Sequence, residues 1–128
     1  MKREMDLVRD ILLKIEADGK PGLWEMPEFD GRSGDQVIYH CNQLMAAGYI
    51  QASEVRDANT AYGFHLCDLR LTWPGHDFLD SVRDPEIWRK TKMGASKIGA
   101  FSFSILGELA KGFIVQKAAS LGLPLGNV

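Results

Sequence analysis

Only two cysteines stand in this 128-residue sequence, at positions 41 and 67. That excludes a disulfide scaffold, and the chain is long enough to bury a core without one, a limit that bites below about 40 residues. An excess of charge of one sign is also missing. Fifteen basic side chains face 17 acidic ones, giving a net charge of −2 and a pI of about 5.9. No global positive field therefore steers the protein onto nucleic acid. The most apolar stretch, 102–120, is interrupted by Glu108, Lys111 and Lys117, which argues against membrane insertion. Asp6, Asp10 and Glu16 break the start of the chain where a signal peptide needs an apolar region. The sequence has no glycine-rich phosphate loop, no nucleophile elbow and no paired-carboxylate arrangement. It is expected not to be an enzyme, and no cofactor or small-molecule ligand is indicated.

What is present is ordinary for a globular protein: 45% hydrophobic and 25% charged residues. Two reduced thiols fit a cytoplasmic location. Charge is uneven along the chain. Residues 1–64 hold 7 basic and 11 acidic side chains, whereas residues 65–128 hold 8 basic and 6 acidic.

The apolar spacing predicts a helix over 4–18, with Val8, Ile11, Leu12 and Ile15 on one stripe. Gly19 should stop it and Pro21 should prevent its resumption. Residues 23–29 read as a short edge strand, because Pro27 cannot sit in a central one. Ser33-Gly34-Asp35-Gln36 is a capping box and opens a helix to about Ala47, ended by Gly48. Strands are expected over 49–55 and 62–72, joined by the polar loop 56–61. In the second strand Phe64 and Leu66 share one parity and Leu69 and Leu71 the other, which predicts a bulge near Cys67-Asp68. Thr72 should cap a helix over 73–83, with Pro74 in its first turn. A further helical turn or two should start at Asp84-Pro85 and end near Met93. Gly94–Ala100 reads as a connector, 102–120 as a last helix, and the tail as loose coil.

The expected fold class is α+β, mainly α: an abbreviated winged-helix domain ordered helix, short strand, helix, β-hairpin wing, helix, with an extra C-terminal helix. Residues 1–93 would form the domain. Residues 94–128 would be a connector plus an apolar helix packed on it or on a partner subunit. Two stretches carry a family resemblance. QVIYHCNQLMAAGYI, residues 36–50, and LRLTWPGHDFLDSVRDPEIWRKTK, residues 69–92, resemble the YjcQ-like family and a closely related family of unknown function. MDLVRDILLKIE, residues 5–16, resembles the opening helix of that group. The resemblance implies a winged-helix-like bacterial protein, often of prophage or mobile-element origin. It implies no known activity and supplies no catalytic residues.

If the module binds double-stranded DNA, the helix over 34–47 would be its recognition helix. Its outward residues Gln36, Tyr39 and Gln43, with His40 at the edge, could meet base edges, since Gln pairs with adenine in the major groove. That helix carries no Lys or Arg, so phosphate contacts would fall to Arg32 before it, Arg56 in the wing, and a basic patch of Arg83, Arg89, Lys90, Lys92 and Lys97. The alternative is a protein-interaction or assembly module with the same fold, in which this helix is structural and the basic run is a solvated face. A homodimer is expected through the last helix, whose apolar residues Phe103, Leu106, Leu109, Phe113 and Ile114 exceed what one small domain covers. His40, Cys41, His65, Cys67 and His76 lack metal-ligand spacing, so no metal is expected, and His40 and His76 read better as core histidines hydrogen-bonded to backbone. His76 and Asp80 stand at i, i+4 and are expected to pair on a helix face.

Overall fold

The structure, a computed structural model, describes residues 1–18 and 22–125. Gly19, Pro21 and the last three residues of the tail lie outside the described residues. Five helices and a two-stranded antiparallel sheet make the fold α+β and mainly helical. The chain forms two compact units, Met1–Asp77 and Phe78–Val128.

The first unit is built from α1 (Met5–Ala17), α2 (Gly34–Ala46), β1 (Ile50–Arg56), β2 (Phe64–Leu71) and the start of α3 (Trp73–Val82). The stripe of α1 is buried as its spacing demands, through Leu7, Val8, Ile11, Leu12 and Ile15. Val37, Ile38, Cys41 and Leu44 of α2 are buried with it, as are Ile50, Leu66 and Leu69 of the hairpin. The capping box forms in full. Ser33 Oγ accepts the Gln36 N–H at 3.1 Å, and Gln36 Oε1 accepts the Ser33 N–H at 2.9 Å. Gly48, at φ +84°, ends α2 in the left-handed region that suits glycine.

The hairpin register slips where the parity of β2 changes. Gln51 pairs with Arg70 and Ser53 with Cys67, so β2 carries one extra residue in that interval. Asp68 absorbs it at φ 52°, a left-handed conformation that aspartate tolerates better than most residues. The expected edge strand over 23–29 shrinks to one bridge. Leu23 and Leu69 exchange two backbone hydrogen bonds of 2.7 Å, and Pro27, without an N–H, cannot extend the ladder. Thr72 caps α3 by accepting the Gly75 N–H at 3.1 Å, and its hydroxyl donates to the Gly48 carbonyl at 2.6 Å.

The second unit contains the rest of α3, then α4 (Pro85–Ile98) and α5 (Phe103–Ser120). Here the structure corrects the sequence reading. Gly94–Ala100 is not a connector, because α4 runs through Gly94 to Ile98 and stops at Gly99, whose φ is 82°. A glycine inside a helix costs only about 1 kcal/mol against alanine. That deficit is offset where Leu109 and Phe113 of α5 pack over the Gly94 site. The two helices form an antiparallel hairpin, since Asp84, the N-cap of α4, pairs with Lys117 near the end of α5 at 2.9 Å.

Candidate functional site

The outward face of α2 and the hairpin beside it hold the residues expected to read DNA. Their surroundings divide them. Gln43 and Arg56 are exposed, and Gln36 and Tyr39 are half-buried. His40 is not on this face. It is fully buried, with Nδ1 2.7 Å from the Gln36 carbonyl and Nε2 accepting the Glu4 N–H at 2.9 Å. Both ring nitrogens are used by backbone, so the ring is the neutral Nδ1–H tautomer. It pins the start of α1 to α2 and cannot reach a base edge.

Arg32 is also engaged. Its Nη1 lies 3.3 Å from Glu4 Oε2, an ion pair outside hydrogen-bond geometry. The same turn of chain at Glu4 thus receives His40 through its backbone and Arg32 through its side chain. Acids dominate the remainder. Asp35 stands in the first turn of α2. The first unit as a whole holds 8 basic and 13 acidic side chains, net −5, against +3 for the second.

A cleft of about 360 Å³ opens at the N-terminus of α2, against the hairpin loop. Pro27, Val37 and Ile38 are its buried apolar lining, and Met26 is half-buried beside them. Glu28 and Asp35 are its exposed acids. From the hairpin side come Asn59, Thr60 and His65. The His65 Nδ1 lies 3.1 Å from Asp57 Oδ2. Asp57 is held below the usual carboxylate range by the Asn59 N–H and then by His65. The cleft therefore presents exposed carboxylates beside an apolar floor. Sequence reasoning gives no role to Glu28, Asn59 or Thr60. Segments far apart in the chain meet here, and no local spacing marks them.

The two arginines of the basic run in the second unit are matched by local acids. Arg83 pairs with Asp80 at 2.7 Å, so Asp80 is not the partner of His76. His76 is exposed and so not a core histidine, and it lies 4.0 Å from Glu16. Arg89 Nε bonds Glu86 at 3.1 Å. Lys92 sits over the buried ring of Trp88, 5.7 Å from its centroid. Lys90 and Lys97 are exposed. Such i, i+3 pairs make an ordinary helix surface more than a phosphate grip.

The helix expected to dimerise spends most of its apolar residues inside its own unit. Leu106 is fully buried. Phe103 meets Phe78 edge to face, with centroids 4.8 Å apart. Leu109 and Phe113 cover Gly94. Of the five residues assigned to a dimer, Leu106 is buried and Phe103, Leu109, Phe113 and Ile114 are half-buried. The reason is the full length of α4, which supplies the partner helix that a connector would have lacked.

Asp84 gives this unit a pH signature. The Lys117 ammonium and then the Ile87 and Glu86 N–H groups lower its carboxyl from 3.8 to about 2. A carboxyl depressed on folding stabilises fully above its unfolded value and loses that effect as pH falls through its folded one. The thermal midpoint should therefore drop between pH about 4 and about 2. The drop should be shallower in Asp84→Asn, where the amide still caps the helix but bears no charge. An equal drop in that variant would exclude Asp84 as a source.

Cys41 is buried and its thiol is pushed up to about 12 by desolvation. It is therefore inert as a nucleophile at neutral pH. Cys67 is half-buried, and the two cysteines are not joined. Among the described residues no group of three or more His, Cys, Asp or Glu is placed to hold a metal ion. No helix among them is long and apolar enough to cross a membrane.

Comparison with known proteins gives a family without an assigned activity. A family model described as "Hypothetical protein (DUF2513)" matches residues 2–102. An "Uncharacterized protein" of Haemophilus influenzae is 34% identical over 121 residues, covering 93% of this chain and 100% of the relative. No solved structure matches the chain. The family match ends just before α5, so it takes in the whole first unit together with α3 and α4. The chain belongs to the DUF2513 family, a family of unknown function.

Proposed function

We propose that the first unit is an abbreviated winged-helix-like module that binds protein and not duplex DNA. The order helix, bridging residue, helix, hairpin, helix supports the winged-helix reading, with α2 in the recognition position. The observation that carries the rest is charge. A recognition helix without a cation, with Asp35 in its first turn and Arg32 held by Glu4, faces a duplex with like charge. Phosphate neutralisation supplies essentially all non-specific affinity for DNA, and of the two arginines on the hairpin Arg70 is paired with Asp68 at 2.8 Å, while Arg56 is exposed. Two tryptophans of this unit lie open to solvent, Trp24 at 68% and Trp73 at 80% exposure. Tryptophan is enriched at the centres of protein interfaces and uncommon as bare surface. No catalytic step belongs to this reading, and it keeps the protein in the cytoplasm, where both thiols stay reduced.

The test is a titration of the full chain into labelled random-sequence duplex at low salt. No binding in the micromolar range is expected. Binding that weakens with salt, by about 0.9 in the logarithmic slope for each phosphate neutralised, and that is lost in Arg56→Ala would replace this reading with the DNA one.

Self-association is the second reading, through the second unit. Val115, Leu121, Leu123 and Leu125 are exposed at the end of α5 and beyond it. Sedimentation equilibrium of the full chain should then give a dimer that Val115→Lys shifts toward monomer. A monomer at all micromolar concentrations would remove it.

A further inference from the structure

We propose that the cleft between the N-terminus of α2 and the hairpin loop takes a linear peptide segment in which an apolar residue stands beside a lysine or arginine. This rests on the protein-binding reading above and names the class of partner.

The cleft has two chemistries side by side. Its depth is apolar, from Pro27, Val37 and Ile38, with Met26 next to them. At about 360 Å³ it falls in the size range of pockets that enclose a ligand group. Burying an apolar side chain there removes its surface from water at roughly 25 cal/mol per Å². Methionine adds a lining that adapts its shape to different aliphatic or aromatic anchors.

The rim selects the neighbour of that anchor. Glu28 and Asp35 are exposed carboxylates on the α2 side. On the hairpin side, the Asp57 carboxylate lies 3.1 Å from Nδ1 of the cleft residue His65, a third acid close to the rim. Among the described residues no Lys or Arg lines the cleft. A partner bringing donors and positive charge is matched here, and a phosphate or carboxylate would meet like charge. The net −5 of the whole unit extends that preference to the approach of the partner.

A peptide fits the surface better than a compact small molecule, because the same short segment that lines the cleft also carries Trp24. That ring is exposed two residues before Met26. It offers a flat apolar and cation-accepting platform along the chain leading from the cleft. An extended segment can use both; a ligand confined to the cleft uses one.

The experiment is selection of a phage-displayed library of random linear peptides on the full chain, followed by anisotropy titration of the enriched sequences. Enriched peptides should carry an aliphatic or aromatic residue next to Lys or Arg. Their affinity should fall with salt, and Glu28→Lys with Asp35→Lys should weaken them at least about tenfold. Asn59→Lys, on the opposite side of the cleft, should weaken them by repulsion while leaving both acids in place. Circular dichroism and the thermal midpoint check that each variant is folded, and Lys90→Glu in the second unit should bind as wild type. Enrichment of peptides without a cation overturns the proposal, and so does failure to enrich any. Enriched peptides that bind equally well to folded cleft variants overturn the cleft and leave the protein-binding reading standing. Duplex binding without peptide binding removes both.

Discussion

Replacing Gly75 with alanine is expected to destabilise the chain by about 3 kcal/mol, although alanine is the better helix former by about 1 kcal/mol. Gly75 is buried in the first turn of α3, where the helix starts directly against the end of the α2–β1 turn. A Cβ there would lie 2.0 Å from the Tyr49 carbonyl oxygen and 3.0 Å from its carbon. That carbonyl is not free to withdraw, because it accepts the Thr72 N–H at 3.0 Å. Making room moves backbone on both sides and loosens the Thr72 cap. Three other helical glycines give the opposite result. At Gly107 and Gly112 a Cβ meets nothing within 4 Å, and at Gly94 it makes an ordinary 3.5 Å contact with Leu109. Alanine at each of these should stabilise by up to about 1 kcal/mol. Urea denaturation of the four single variants measures the contrast. A Gly75→Ala protein within about 0.5 kcal/mol of wild type, the range of an inert surface change, would show that the approach to Tyr49 is not enforced.

His40→Ala should cost about 2–4 kcal/mol, the sum of a core cavity and two backbone groups deprived of a partner. The imidazole is one of the two buried polar residues among the described residues. It joins the Glu4 N–H, at the entrance to α1, to the Gln36 carbonyl inside α2. Phenylalanine or leucine restores volume and leaves the Glu4 donor without its acceptor, so part of the loss should remain. Gln43→Ala, one turn along the same helix but exposed, should change stability by less than about 0.5 kcal/mol. Chemical denaturation of the three variants separates a structural histidine from a reading one. An unchanged His40→Ala stability would instead favour the base-reading role that the edge position of His40 left open.

His40 also marks where a single sequence stops being informative. Its helix, cap and stripe are legible, because each is set by residues within a turn or two of one another. The capping box at Ser33, the stop at Gly48 and the stripe of α1 all belong to that class. The bulge at Asp68 is legible for the same reason: apolar parity along one strand must flip where an extra residue is inserted. The side to which His40 turns is different. On the helix it lies at the edge of the apolar stripe, and its burial is decided by Glu4, far away in the chain, arriving with an N–H to donate. The candidate site divides along the same line. Gln36, Tyr39, Gln43 and Arg56 could be named from the sequence, but the cleft could not, since Met26, Pro27 and Glu28 meet Asn59, Thr60 and His65 through folding alone.

Local sequence thus determined the element types, most of their ends and the mainly helical α+β class, because helix periodicity, caps and strand parity act over a few residues. Tertiary structure decided three things that short-range rules cannot reach. It carried α4 past Gly94, since packing from Leu109 and Phe113 outweighs a propensity deficit of about 1 kcal/mol. It buried Leu106 of α5 and half-buried Phe103, Leu109 and Phe113, because Phe78 and the longer α4 lie beside them within the same unit. It also engaged Arg32, by closing a distance in space to Glu4 that is long in sequence. Charge pairing depends on where side chains arrive, and composition records only that they exist.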